Sequence, residues 1–307
     1  MISKNMVLGL FFLFQTGVGT LGNSFLLGLY TFTFFTGPRL RPIDLLLCHL
    51  VFVNDLVLLS KGIPQTMSTF GLTNFLDDVG CKFVFYFHKV TRNLSLCTTC
   101  LLSSFQAISL SPRSSWWAKL KARIPKYIVP LCFLCWTFHL LTNYKILLHM
   151  KGPKGSHNIT KGNDFIYCSA TFHVSLYIAI YILLVSLPDV LCVATMLGTS
   201  GYMFFLLYRH HQKVQYVHGN SLMPAGCPET RATQTILLLV ILFVSFYSLN
   251  SILALYIHYE NSPPWVVHIS AFLAACYPAC SSFVLMVSDS KVQKYHLALW
   301  EKMRIQF

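Results

Sequence analysis

Seven times along this chain, apolar residues run for 20 or more positions before a short polar stretch interrupts them. About 20 such residues, coiled as a helix, cross a hydrocarbon core of about 30 Å, so the pattern predicts membrane-spanning helices and not soluble elements. The expected spans are 7–35, 43–67, 81–110, 127–148, 176–208, 233–257 and 266–287. The fold class that follows is an all-α membrane protein, a single seven-transmembrane-helix bundle over residues 1–307. Prolines sharpen the breaks: the segment Gly37-Pro38-Arg39-Leu40-Arg41-Pro42 stops the first helix. That first run holds no charge between Lys4 and Arg39 and no small-residue cleavage pattern, so it reads as a retained helix and not a signal peptide. The third span is the weakest by hydropathy, because Lys82, His88, Lys89 and Arg92 crowd its first half.

Charge then orients the bundle. Only 11% of residues are charged, against roughly 25% in an average soluble domain, yet the formal net charge is +13. With the N-terminus outside, 14 Lys and Arg fall in inner segments and six in outer ones. The positive-inside bias therefore places the N-terminus outside and the C-terminus in the cytoplasm, and it accounts for the basic balance without nucleic acid. Asn158-Ile159-Thr160 then falls in an outer loop, which makes Asn158 a glycosylation acceptor.

Among 11 cysteines, eight (Cys48, Cys97, Cys100, Cys132, Cys135, Cys192, Cys276 and Cys280) lie inside apolar runs as small hydrophobes. Cys227 lies in an inner loop, which leaves Cys81 and Cys168 beside the oxidising side as the one expected disulfide; two reduced thiols are the alternative. Asp55 and Asp189 are carboxylates inside apolar spans, a costly placement. Each reads equally as an ion-binding or switching group and as a hydrogen-bonded packing residue. His88 and Arg92 share one helical face in the outer half of the third span, with Lys89 beside them. Facing the bundle, with Asp189, they would meet a polar or anionic organic ligand; snorkelling of Lys89 and packing of His88 is the plainer reading. His49, His88 and His139 fall in different spans, and no metal-ligand spacing, phosphate loop or nucleophile motif occurs, so neither a cofactor nor an enzymatic activity is expected. The inner loops carry Arg113, Lys119, Lys121 and Arg209, with Trp116-Trp117 suited to the lipid interface. They read as a surface for lipid and a cytoplasmic partner, or as topology-setting charge alone.

Longer words in the chain carry a family likeness. They include Leu59-Ser60-Lys61-Gly62-Ile63-Pro64-Gln65-Thr66-Met67, Phe85-Tyr86-Phe87-His88-Lys89-Val90, Ser95-Leu96-Cys97-Thr98-Thr99-Cys100-Leu101-Leu102-Ser103, Phe165-Ile166-Tyr167-Cys168-Ser169-Ala170 and Pro228-Glu229-Thr230-Arg231-Ala232-Thr233-Gln234. Over nearly its whole length the chain resembles the vomeronasal type 1 receptors. The resemblance implies a G-protein-coupled receptor of the plasma membrane, a small pheromone-like ligand, and an inhibitory-class heterotrimeric G protein in vomeronasal neurons. Phe105-Gln106-Ala107 stands where most rhodopsin-like receptors have an acidic-Arg-aromatic triplet, so an Arg-based lock is not expected and Gln106 becomes a coupling candidate. Asn93 and Ser282 depart from the family pattern, which has Gly and a second proline there. The rival readings are a bitter taste receptor and a seven-helix transporter or channel with Asp55 and Asp189 along its path.

Overall fold

Long helices make up almost all of the computed structural model, which describes residues 4–36, 42–72, 75–112, 115–152, 163–165, 168–170, 176–218, 228–259, 263–289 and 292–293. In chain order they are α1 (Lys4–Thr36), α2 (Pro42–Thr69), α3 (Asp78–Leu110), α4 (Ser115–Thr142), the single turn α5 (Ile146–His149), α6 (Leu176–His218), α7 (Pro228–Tyr259) and α8 (Pro264–Ser288). Three short strands, β1 (Met150–Lys151), β2 (Asn163–Phe165) and β3 (Cys168–Ala170), pair antiparallel in the order β1-β3-β2.

Among the described residues six helices are long and apolar enough to cross a membrane, and α3 is the long helix that misses that standard. Its place in the bundle explains why. α3 packs against α2, α4, α6 and α7, so its polar side chains meet other helices and not lipid. Thr91, Asn93, Ser95, Thr98, Thr99, Ser103 and Gln106 are all buried along it. On the perimeter the pattern inverts: Phe14, Leu21 and Phe35 are 70%, 72% and 79% exposed, as a helix surface solvated by hydrocarbon requires.

Small residues let α1 approach its neighbours. A side chain on Gly19 would sit 2.9 Å from Ala279 Cβ of α8, and one on Gly62 would run into Thr16. Such close backbone contact replaces the hydrophobic drive that lipid removes. The largest apolar core gathers Leu26, Leu46, Leu50, Leu102, Met203, Leu239, Phe243 and Leu285 from six helices.

Three expected boundaries move furthest. α4 begins at Ser115, not 127, because Trp117-Ala118-Lys119-Leu120-Lys121-Ala122-Arg123 are good helix formers whose charges end a hydropathy run without ending a helix. It stops at Thr142, leaving α5 as a separate turn inside the range expected as one span. α6 likewise continues to His218, past the apolar stretch that ends at 208.

Candidate functional site

The strands sit at one end of the bundle, β1 against α3. Cys81 in the first turn of α3 is bonded to Cys168 of β3, with the Cα atoms 6.0 Å apart. Cys81, Cys168 and Met150 form a small buried cluster against Phe75, Leu76, Phe85 and Ile146. Asp77 caps α3 by accepting from the Gly80 amide at 2.7 Å, and Asp78 accepts from the Gly152 amide at 2.7 Å. The sheet is thus held to the same helix end by a covalent bond and a charge-assisted hydrogen bond.

Further along α3 lies a small cavity between α2, α3, α7 and α8. Phe243, Phe246, Leu273 and Ala274 make its apolar wall, while Arg92, Ser95, Tyr247, Asn250 and Tyr277 supply its polar groups. Arg92 lies over the Tyr247 ring, Cζ 4.8 Å from the centroid. It also donates to Asn250 at 3.3 Å with the amide turned to satisfy both of its ends, the nitrogen then donating to the Ser270 carbonyl at 2.9 Å. Tyr247 in turn donates its hydroxyl to Asp189 Oδ2 of α6 at 3.1 Å, and Lys89 Nζ stands 4.0 Å from the same oxygen. Arg92, Tyr247, Asp189 and Lys89 therefore form one chain of contacts crossing α3, α7 and α6.

This arrangement divides the expected ligand face. Arg92 lines the cavity. His88, one turn away, meets Ser60 Oγ of α2 at 3.3 Å, and Lys89 turns to α6. Lys61 lies within α2 with its ammonium over Phe85, 5.7 Å from the ring centroid.

Deeper in the bundle the central polar residue is Asn54, fully buried beside Asp55. It donates to Ser281 Oγ of α8 at 2.9 Å and accepts from Ser95 Oγ of α3 at 2.6 Å. Asp55 faces α1 instead, accepting from Ser24 at 2.8 Å with Oδ1 buried and unpartnered. Asn23 donates to the Pro278 carbonyl at 2.9 Å, and Thr99 shares a 2.9 Å hydrogen bond with Tyr277. Reading the sequence for charge found Asp55 and missed Asn54, Ser95, Tyr247 and Asn250. The available signal was weaker: uncharged polar side chains recurring on single faces of apolar helices.

At the opposite end of α3, Gln106 donates its amide to Thr233 Oγ1 of α7 at 3.0 Å, both residues being buried. Ser111 meets Tyr202 of α6 at 3.1 Å, and its carbonyl accepts from Lys121 Nζ of α4 at 2.7 Å. Lys119 and Arg209 are exposed. Arg113, Asn158 and Cys227 lie outside the described residues. No three His, Cys, Asp or Glu side chains among the described residues surround a common point.

Residues 6–298 match the vomeronasal organ pheromone receptor family. The chain is 45% identical over 298 residues to vomeronasal type-1 receptor 1 of Gorilla gorilla gorilla, covering 94% of this chain and 82% of that one. It is 44% identical over 295 residues to human vomeronasal type-1 receptor 3, covering 96% and 94%. Olfactory receptor class A-like protein 1 of Danio rerio is 34% identical over 287 residues, covering 93% and 90%. The fold matches squid rhodopsin with a TM-score of 0.72 at 16% identity, covering 94% of this chain and 83% of that structure. The chain belongs to the vomeronasal organ pheromone receptor family: it is a G-protein-coupled chemosensory receptor, a multi-pass protein of the plasma membrane and not an enzyme.

Proposed function

We propose that a small, pheromone-like organic molecule binds in the cavity between α2, α3, α7 and α8, with a polar or anionic group against Arg92. The reading rests on one observation: the cavity's cationic wall residue belongs to a contact chain that reaches α7 through Tyr247 and α6 through Asp189. An anion that pairs with Arg92 draws it from the Tyr247 ring and loosens the Tyr247 contact to Asp189. The ligand then favours one arrangement of these helices over another, which is the thermodynamic requirement for signalling.

The partner in this reading is an inhibitory-class heterotrimeric G protein in vomeronasal sensory neurons. It engages the end of the bundle that carries Gln106, Lys121, Lys119, Arg209 and Arg113. The charge asymmetry supports that end as cytoplasmic, with the N-terminus and Asn158 outside. The Trp116-Trp117 pair in the same stretch of sequence suits the lipid interface. His88 and Lys89 act from behind the cavity wall by positioning α2 and α6 against α3.

Expression with a reporter G protein, challenged with a panel of small organic acids and their neutral esters, tests the reading. Wild type responds to at least one acid more strongly than to its ester. Arg92→Gln removes that preference while surface expression persists. A response that is indifferent to Arg92 overturns it.

A further inference from the structure

We propose that Cys97 is a nucleophilic thiol that captures lipid-soluble α,β-unsaturated aldehydes and ketones, with His139 as its base and Asp189 positioning that base. Cys97 Sγ of α3 lies 3.2 Å from His139 Nε2 of α4, a thiol–imidazole hydrogen bond. With Nε2 accepting from the thiol, Nδ1 carries the ring hydrogen. That hydrogen has no acceptor, although the residue is only 2% exposed. Asp189 of α6 is buried as well; its Oδ2 meets Tyr247 and Lys89, while its Oδ1 has no donor. The carboxylate lies near enough to act on the charge of the imidazole. An orphan donor and an orphan acceptor, each costly in a dry interior, therefore complement one another.

Nucleophile, base and orienting carboxylate are the roles of a catalytic triad, which is recognised by geometry and not by order in the sequence. Cysteines in apolar helices are ordinarily small packing groups, and fully buried thiols are inert. Cys97 differs in having both a base and an approach. Among the described residues α4 and α6 each pack along α3 but hardly on one another. Cys97, Cys135 and Cys192 are all partly exposed there, and Leu134 and Leu191, the residues preceding the last two, are exposed on the perimeter. The thiol is thus reached from the hydrocarbon side, which selects an apolar, uncharged reagent.

The step balances without a co-reactant. Sγ bonds to the β-carbon of the unsaturated carbonyl compound as His139 takes the thiol proton, and the π pair of the double bond moves toward the α-carbon. The α-carbon then takes that proton back from the imidazolium, leaving a neutral thioether and a neutral imidazole, with nothing oxidised or reduced. Charge exists only in the intermediate, where Asp189 stabilises the imidazolium. Cys192 Sγ, 3.8 Å from Cys97 Sγ, is placed to hydrogen-bond the sulfur as charge develops on it. The adduct stays attached, so this is capture and not turnover, and it is independent of what occupies the cavity beside Arg92.

The test is site-resolved labelling of the purified full-length receptor in lipid nanodiscs with hexyl vinyl ketone, quenched over time and read by peptide mass spectrometry. A general base contributes about a hundredfold to such a step, so Cys97 should be labelled at least tenfold faster than Cys280, a cysteine of α8 outside the cluster. Hexyl ethyl ketone, which lacks the double bond, should leave no adduct. His139→Gln should bring the Cys97 rate down to that of Cys280, and Asp189→Asn should slow it severalfold, with Asp189→Glu restoring it. If a variant fails to fold, the comparison of Cys97 with Cys280 within wild type still decides. Labelling of Cys97 no faster than of Cys280, or a Cys97 rate indifferent to His139→Gln, overturns the assignment.

Discussion

Gln106 of α3 holds Thr233 of α7 by a 3.0 Å hydrogen bond between two buried side chains. It is the middle residue of Phe105-Gln106-Ala107, the word that stands in place of the acidic-Arg-aromatic triplet of most rhodopsin-like receptors, and it joins two helices without charge. A neutral hydrogen bond contributes about 1 kcal/mol, a smaller barrier to helix separation than a buried ion pair whose partners cannot be parted cheaply.

Thr233→Val removes the acceptor and keeps the shape. Basal nucleotide exchange by a co-expressed G protein should rise by about fivefold if the bond is worth about 1 kcal/mol. Gln106→Leu should do the same, and the double variant should add little to either. Unchanged basal exchange in both single variants would show that the contact does not hold the inactive form.

Cys168→Ser frees β3 from α3. Loss of a native disulfide costs about 2–5 kcal/mol in small domains, and here Cys81 and Cys168 lie at the centre of their own buried cluster. Surface expression measured by flow cytometry should fall severalfold, with the remaining receptor unresponsive to any ligand that activates wild type.

Lys89 and Asp189 test how the α3–α6 seam is held. Asp189→Ala leaves both Lys89 and the Tyr247 hydroxyl without their shared acceptor. Asp189 is buried and Lys89 partly so, and removing one partner of such a pair is more damaging than replacing both. Asp189→Ala should therefore lower the thermal midpoint in detergent more than the double variant Lys89→Met with Asp189→Leu does.

Gly19→Val should abolish folding, because its Cβ meets Ala279 Cβ at 2.9 Å and Leu58 Cδ1 at 2.8 Å. Ala279→Gly should partly rescue Gly19→Ala, and size-exclusion recovery of the purified receptor reads both.

Hydropathy and prolines disclosed the number and order of the helices, because lipid imposes a length and an apolar surface on each. They said least about α3, whose neighbours are protein, and about the ends of α4 and α6, where charged helix formers carry the chain out of the apolar layer. The site was legible in part. Cys81 and Cys168 could be paired by exclusion, and Arg92 stood out as a cation in an apolar run. Asn54 and Tyr247 were not legible, since each owes its role to partners on two other helices. His88 and Arg92 share a helical face by spacing, yet the crowding of α2 against α3 turns one toward Ser60 while the other reaches the cavity.

Pro278 borders the cavity together with Ala274, four residues before it in α8. A proline has no amide hydrogen, so the Ala274 carbonyl lacks its helical donor. The carbonyl freed by the proline thus belongs to a residue of the wall that also carries Arg92, and the two differ in what substitution can do to them. A single codon change can erase or reverse the guanidinium, whereas no replacement of Ala274 alters its carbonyl. Divergence of odour preference among receptors of this build would then run through the cation, against an acceptor that stays constant.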